Sequence, residues 1–316
     1  MRAAVIKQYG EAPVIAERPE PAATDGLALV EVTAAPLNPV DLSIANKRYF
    51  APPPPVPYVP GREGVGRIVQ GKAFKPGTLV YFESHPGDGA LAKRALAVEG
   101  HTIEVPPGIP DPLAAGLGIA GITGWLAVEW RGRLQKGETV LVLGATGVVG
   151  NVAVQAAKIL GAGFVIGAAR NKEALARVRE LGADAAVELT QDNLTQAFAD
   201  AAGRPIDLVI DPLWGAPAVA AAQALRVGGR MVHLGQSASP EATFTSGTVR
   251  GKMLSILSYS NFEVPWETRA QAFRTLVGHA VAGRLKVDYE TFPLDKTPDA
   301  WKQQAASPHK KLVVTP

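Results

Sequence analysis

TVLVLGATGVVGNVAVQAAKILGA, residues Thr139 to Ala162, decides the fold. Five apolar, mostly β-branched residues run into a glycine turn, and an alanine-rich segment with helical spacing follows. Strand, glycine turn and helix in immediate succession form the unit that a dinucleotide needs. Small residues let the backbone turn tightly against a pyrophosphate, and the first helical amides face the anion. Gly144, Ala145, Thr146, Gly147, Val148 and Val149 are the expected contacts. The G-x-G-x-x-G pattern is met only in part, because Ala145 stands where the first glycine belongs.

Strands and helices alternate after this unit. GFVIGAAR (163–170), PIDLVIDPL (205–213), GGRMVHLG (228–235) and MLSILSYS (253–260) read as further strands, with a helix from Lys172 to Leu181. Such alternation implies a parallel sheet with right-handed crossovers. Before it, residues 111–130 read as a buried, glycine-interrupted helical stretch, and the first hundred residues as short strands and turns. After Asn261 a helix (Trp266 to Gly283) precedes closing strands without helical alternation, which are expected to return to the first sheet. The expected class is α/β. A Rossmann-type doubly wound parallel sheet (116–261) is inserted into a mostly-β domain made of 1–115 and 262–316.

The second strand of a NAD site usually ends in an acid that binds the ribose 2′-hydroxyl. Here it ends Ala169-Arg170-Asn171-Lys172, with two cations and an amide where a 2′-phosphate would sit. NADPH is therefore the expected cofactor.

Composition narrows the class. Of 316 residues 47% are hydrophobic and 19% charged, as in a globular protein with a filled core. The net charge is +3 without any basic run, which argues against nucleic acid as a partner. Cysteine is absent, which removes disulfides, thiolate nucleophiles and thiolate-bound zinc. The N-terminus lacks a signal pattern, and no eighteen-residue apolar run free of glycine and charge occurs, so the expectation is a cytoplasmic protein without a membrane partner.

Several segments together resemble the medium-chain dehydrogenase/reductase superfamily, in its zinc-free quinone oxidoreductase and enoyl reductase branches. They are AAPLNPVDL (34–42), VPGREGVGRI (59–68), GITGWLAV (121–128), the glycine turn, IDLVIDPLWG (206–215), LRVGGRMVHLG (225–235), GRLKVDYETFPL (283–294) and KKLVV (310–314). The resemblance implies a GroES-like catalytic domain around the Rossmann unit. It puts Asn38, Arg62 and Ile119 where zinc-dependent alcohol dehydrogenases carry their ligands, so no metal is expected. Reduction of an electron-poor carbonyl or conjugated C=C needs only an aligned hydride donor and stabilisation of the acceptor oxygen.

By the same resemblance Asn38 faces nicotinamide and substrate, and Tyr49 is the candidate proton donor. Thr123, Gly235, Gln236, Ser237, Leu257, Tyr259 and Lys311 contact the cofactor. Asp41 reads as a helix cap. A lysine and a tyrosine that clamp the 2′-phosphate in bacterial relatives fall at Ala174 and Leu189, which leaves that task to Arg170, Asn171 and Lys172. The reading is an NADPH-dependent reductase of quinones or α,β-unsaturated carbonyls, with a small-molecule substrate and a homodimer paired through MLSILSYS. Its alternatives are an enoyl- or acryloyl-thioester reductase and a crystallin-like protein that binds NADPH without turnover.

Overall fold

The computed structural model describes all residues from Met1 to Pro316. In chain order the elements begin with β1 (Arg2–Val5), β2 (Val14–Glu17), β3 (Leu27–Pro36), α1 (Pro39–Ala45), β4 (Glu63–Gln70), β5 (Leu79–Ser84), β6 (Arg94–Glu104) and α2 (Asp111–Gly116). Next come α3 (Ile122–Leu126), β7 (Thr139–Leu143), α4 (Val148–Ile159), β8 (Phe164–Ala169), α5 (Lys172–Glu180), β9 (Ala185–Glu188), α6 (Leu194–Ala202), β10 (Ile206–Asp211), α7 (Gly215–Ala224), β11 (Leu225–His233), α8 (Ser246–Gly251) and β12 (Ser255–Ser258). The chain closes with α9 (Trp266–Val281), β13 (Tyr289–Pro293), α10 (Thr297–Ala305) and β14 (Lys311–Thr315).

The chain divides into two compact units. The first holds Met1–Ile119, Phe273–Ala282 and Val287–Pro316, and the second holds Ala120–Ala272 and Gly283–Lys286. In the first, the order β13-β14-β3-β4-β5-β6 is closed by an additional β3–β6 pairing, and a separate β1–β2 ribbon lies alongside in sequence. The closing strand does return to the first sheet: β14 pairs antiparallel with β3, setting Val313 against Pro36. Its core gathers Val30, Leu37, Phe82, Leu91 and Leu312.

The second unit is a six-stranded parallel sheet in the order β12-β11-β10-β7-β8-β9. Every residue of β7 is buried, as expected of a central strand covered on both faces. The strand β9 has no counterpart in the sequence reading. Its four residues, AAVE, lack a β-branched or aromatic run, and parallel pairing with β8 makes it a strand.

The stretch Asp111–Arg131 is long and apolar enough, by length and composition, to cross a membrane, but 83% of its apolar window is buried within the protein. It is also broken. Gly118, at φ −61° and ψ −126°, leaves helical geometry between α2 and α3.

Candidate active site

In the first unit, side chains from four distant parts of the chain meet in a buried polar network. Asn38 precedes α1, Glu63 opens β4, Tyr81 lies on β5, and Lys311 opens β14. The Lys311 Nζ donates to Asn38 Oδ1 at 2.5 Å, and Asn38 Nδ2 donates to Glu63 Oε1 at 2.8 Å. The other Glu63 oxygen accepts from the Tyr81 hydroxyl (2.7 Å) and the Ile119 amide (2.6 Å). Asp41 caps α1 as expected, accepting from the Asn38 amide at 2.9 Å, and it also accepts from the Arg62 amide at 3.0 Å.

Asn38, Asp41, Glu63 and Lys311 are all at most 2% exposed. Burial pushes the Glu63 and Asp41 carboxyls above their ordinary range, opposed by the Lys311 charge and the donated hydrogen bonds. Burial likewise pushes the Lys311 ammonium down, opposed by Glu63 and Asp41. Burial thus works against the charged forms, and the opposite charges and donated hydrogen bonds offset part of that cost.

The helix break belongs to this network. A Cβ on Gly118 would lie 2.0 Å from Glu63 Oε2 and 2.4 Å from the Tyr81 ring. Only glycine lets the chain pass the carboxylate and offer it the next amide, that of Ile119.

Beside the network a cavity of about 190 Å³ is lined by Asp41, Tyr49, Pro52, Tyr58, Arg62 and His85, among others. Tyr49 is on its wall, with its ring 4.2 Å from that of Phe50. Asn38 does not line it. Asn38, expected to face nicotinamide and substrate, has both ends of its carboxamide engaged inside the network. Lys311, expected to hold the cofactor, is likewise turned inward to Asn38. Sequence reasoning passed over Glu63, Tyr81 and Tyr58. The Tyr58 hydroxyl is buried without a hydrogen-bond partner, and desolvation beside Asp41 pushes its pKa up. Glu63 stood within a quoted motif, and an acid in an apolar β-strand run was its available signal.

In the second unit the glycine turn, Arg170 to Lys172 and the Gly235–Ser237 loop follow the carboxyl ends of β7, β8 and β11. Gly144 turns at φ +59°, and the Ala145 amide bonds the Ala168 carbonyl at 3.0 Å, which ties the glycine turn to the end of β8. A Cβ on Gly150 would sit 2.4 Å from the Gly144 carbonyl, so α4 can start this close to the turn only with glycine there. The first bond into α4 is Asn151 amide to Gly147 carbonyl, which leaves the amides of Val148 and Val149 at the open helix start. Thr123 lies next to Gly124, where a Cβ would come 2.6 Å from the Val149 carbonyl, so α3 packs on that same first turn.

Arg170 and Lys172 are exposed just past β8. Asn171 caps α5, its Oδ1 accepting from the Ala174 amide at 2.9 Å, with Nδ2 still available as a donor. The loop of Gly235, Gln236 and Ser237 follows β11 and is fastened to the end of β10 by the Ser237 amide and hydroxyl on the Pro212 carbonyl. Leu257 lies on edge strand β12, and the Tyr259 hydroxyl bonds Asn261 at 3.1 Å. A glycine cradle, open helical amides and two cations fit a phosphorylated dinucleotide.

Two family models match the chain: an alcohol dehydrogenase GroES-like domain over residues 24–127 and a zinc-binding dehydrogenase domain over 148–277. The chain is 28% identical over 309 residues to the human (Homo sapiens) quinone oxidoreductase, covering 95% of this chain and 92% of that protein. It is 30% identical over 242 residues to 2-methylene-furan-3-one reductase of Solanum lycopersicum, covering 73% of this chain but only 60% of that one. Among solved structures, a mycobacterial protein in complex with NADPH superposes over 100% of both chains with TM-score 0.89 at 22% identity, a likeness of fold.

Zinc, which the second model's description implies, does not suit the residues present. Asn38, one of the three positions that the resemblance sets at the ligands, is bonded to the buried Lys311 ammonium, and both Glu63 oxygens are already engaged. Tetrahedral zinc needs thiolate, imidazole or carboxylate donors converging on one point.

Proposed function

We propose, from the premise that this chain belongs to the medium-chain dehydrogenase/reductase superfamily and is of its quinone oxidoreductase type, that it is a zinc-independent, NADPH-dependent reductase of quinones or α,β-unsaturated carbonyls. The observation that carries this reading is the buried network of Lys311, Asn38 and Glu63, in which Asn38, aligned by resemblance with a zinc ligand, is bonded to an ammonium instead. Without a Lewis acid an alcohol lacks activation as an alkoxide, whereas an electron-poor acceptor needs none. The named relatives support that acceptor class, since a quinone and a 2-methylene-furan-3-one are both conjugated carbonyls.

NADPH, when bound, supplies the hydride. Residues Gly144 to Val149 would hold its pyrophosphate, and Arg170, Asn171 and Lys172 its 2′-phosphate. Thr123, Gly235, Gln236, Ser237, Leu257 and Tyr259 would line the rest. Tyr49 is assigned as the hydrogen-bond donor to the acceptor oxygen, from the wall of the cavity. Asn38 and Lys311 are positioning residues that fix the Asp41–Arg62 wall from behind. The assembly is a homodimer through β12.

The test is NADPH oxidation with a panel of benzoquinones, naphthoquinones and enones, before and after chelation, with metal content measured on the same sample. Turnover that survives chelation in zinc-free protein is expected. Activity that needs stoichiometric zinc, or a panel without a single acceptor, overturns the reading.

A further inference from the structure

We propose that His233 is a cofactor-binding residue whose Nε2 accepts a hydrogen bond from an uncharged N–H or O–H donor of the dinucleotide, its ring held for that task by Asp211 and Trp214. The proposal rests on the reading of the chain as nicotinamide-dependent, though not on the choice of acceptor.

Asp211 and His233 end the neighbouring strands β10 and β11 as Cα partners, at the carboxyl edge of the sheet. Ligands of doubly wound sheets gather at that edge. Asp211 is fully buried, and its Oδ1 accepts the amides of Leu213 and Trp214, each at 2.9 Å. Its Oδ2 has no hydrogen-bond partner, and neither has His233 Nδ1. These two atoms lie 3.5 Å apart. The negative charge of a carboxylate this close to Nδ1 favours the tautomer with its proton there. The lone pair is then on Nε2, on the far side of a side chain that is 30% exposed.

The ring is also clamped. The Trp214 ring lies 4.0 Å from it, tilted by 39°, and Phe244 backs Trp214 at 5.2 Å. Trp214 takes φ +60°, a conformation unusual for a bulky residue and characteristic of functional sites. It is reached through the turn that Asp211 Oδ1 stabilises.

Two features connect this cluster to the nucleotide rather than to another ligand. The residues of that turn, Pro212 and Leu213, abut the phosphate turn, since a Cβ on Gly144 would lie 3.1 Å from each. The Gly235–Ser237 loop follows His233 directly and is fastened to Pro212. Phosphate oxygens are acceptors, so they suit the amides and cations elsewhere on this edge and not a lone pair backed by a carboxylate. The complement of Nε2 is a ribose hydroxyl, the adenine 6-amino group or the nicotinamide carboxamide.

NADPH binding is measured by fluorescence titration on three proteins: wild type, His233→Phe and His233→Gln. Phenylalanine keeps the stack on Trp214 and removes both nitrogens, whereas glutamine keeps an acceptor. His233→Phe is expected to weaken NADPH by about tenfold and His233→Gln by less. Because Asp211 loses its neighbour in the first variant, Asp211→Asn/His233→Phe is titrated as well, with thermal unfolding of all forms. The same loss in this double variant at unchanged unfolding temperature excludes a merely structural effect.

Two analogues locate the donor: nicotinamide hypoxanthine dinucleotide phosphate lacks the 6-amino group, and 3-acetylpyridine adenine dinucleotide phosphate lacks the carboxamide N–H. The analogue missing the donor binds wild type and His233→Phe alike. Equal losses with both assign a ribose hydroxyl. NADPH affinity of His233→Phe within about twofold of wild type overturns the inference and leaves the proposed function standing. A wild type that binds no reduced coenzyme overturns both.

Discussion

Gly118 carries more than a backbone preference. Alanine there would drive a methyl group into Glu63 Oε2 and the Tyr81 ring, and neither has room to retreat within a closed core. Displacing Glu63 also takes it from the Ile119 amide and Asn38, leaving a buried carboxylate short of donors. Gly118→Ala is expected to cost about 3 kcal/mol or more, read as a lowered urea midpoint, or to yield no soluble chain. A midpoint equal to wild type would show that the helix break is accidental. The same residues set a pH dependence. Burial raises the Glu63 carboxyl above its ordinary value of 4.5, so the folded chain binds more protons than the unfolded chain just above that value. Stability from this group is therefore present at lower pH and lost as pH rises through its folded pKa. Glu63→Gln removes that contribution. Its urea midpoint relative to wild type should be lower at about pH 5 than at about pH 8. The opposite trend would mean that Glu63 stays ionised throughout, held by Lys311.

At the scale of elements, the proposed preference for NADPH is tested at the start of α5. Arg170 and Lys172 are exposed cations flanking the Asn171 cap, past the strand that usually ends in an acid. Arg170→Ala/Lys172→Ala should weaken NADPH by about ten- to a hundredfold and leave NADH nearly unchanged. Equal loss for both coenzymes would remove the 2′-phosphate from this position. The β7–α4 unit was legible because its information is local: strand, turn and helix start lie within a dozen residues, each with its own propensity. The buried network was not legible. Lys311 and Asn38 are 273 residues apart, and Glu63 and Ile119 are 56 apart, so no spacing rule joins them. Reading Asn38 as a substrate contact followed from the resemblance of its motif, Asn38-Pro39-Val40-Asp41. That the closing strand β14 also brings an ammonium to its carboxamide was not readable from the motif. Strand β9 escaped for a similar reason, since neighbouring β8 supplies its order.

At the scale of the whole molecule, one edge of the parallel sheet asks for cover. Edge strand β12 has Ile256 37% exposed, and Met253 just before it is 72% exposed. An apolar strand edge left in water is a template for pairing with another chain. A second copy is the occupant that closes such an edge by symmetry, because the same patch on each chain meets itself. Its four residues make few hydrogen bonds alone, so the exposed apolar side chains must supply much of the association. Sedimentation equilibrium is expected to give twice the chain mass of 33.1 kDa. Ile256→Lys sets two like charges against each other across the symmetric pairing. It should shift the population to monomer while each chain keeps its fold, seen as an unchanged circular dichroism spectrum. A wild type that sediments as a monomer would mean that β12 is protected by its shortness alone.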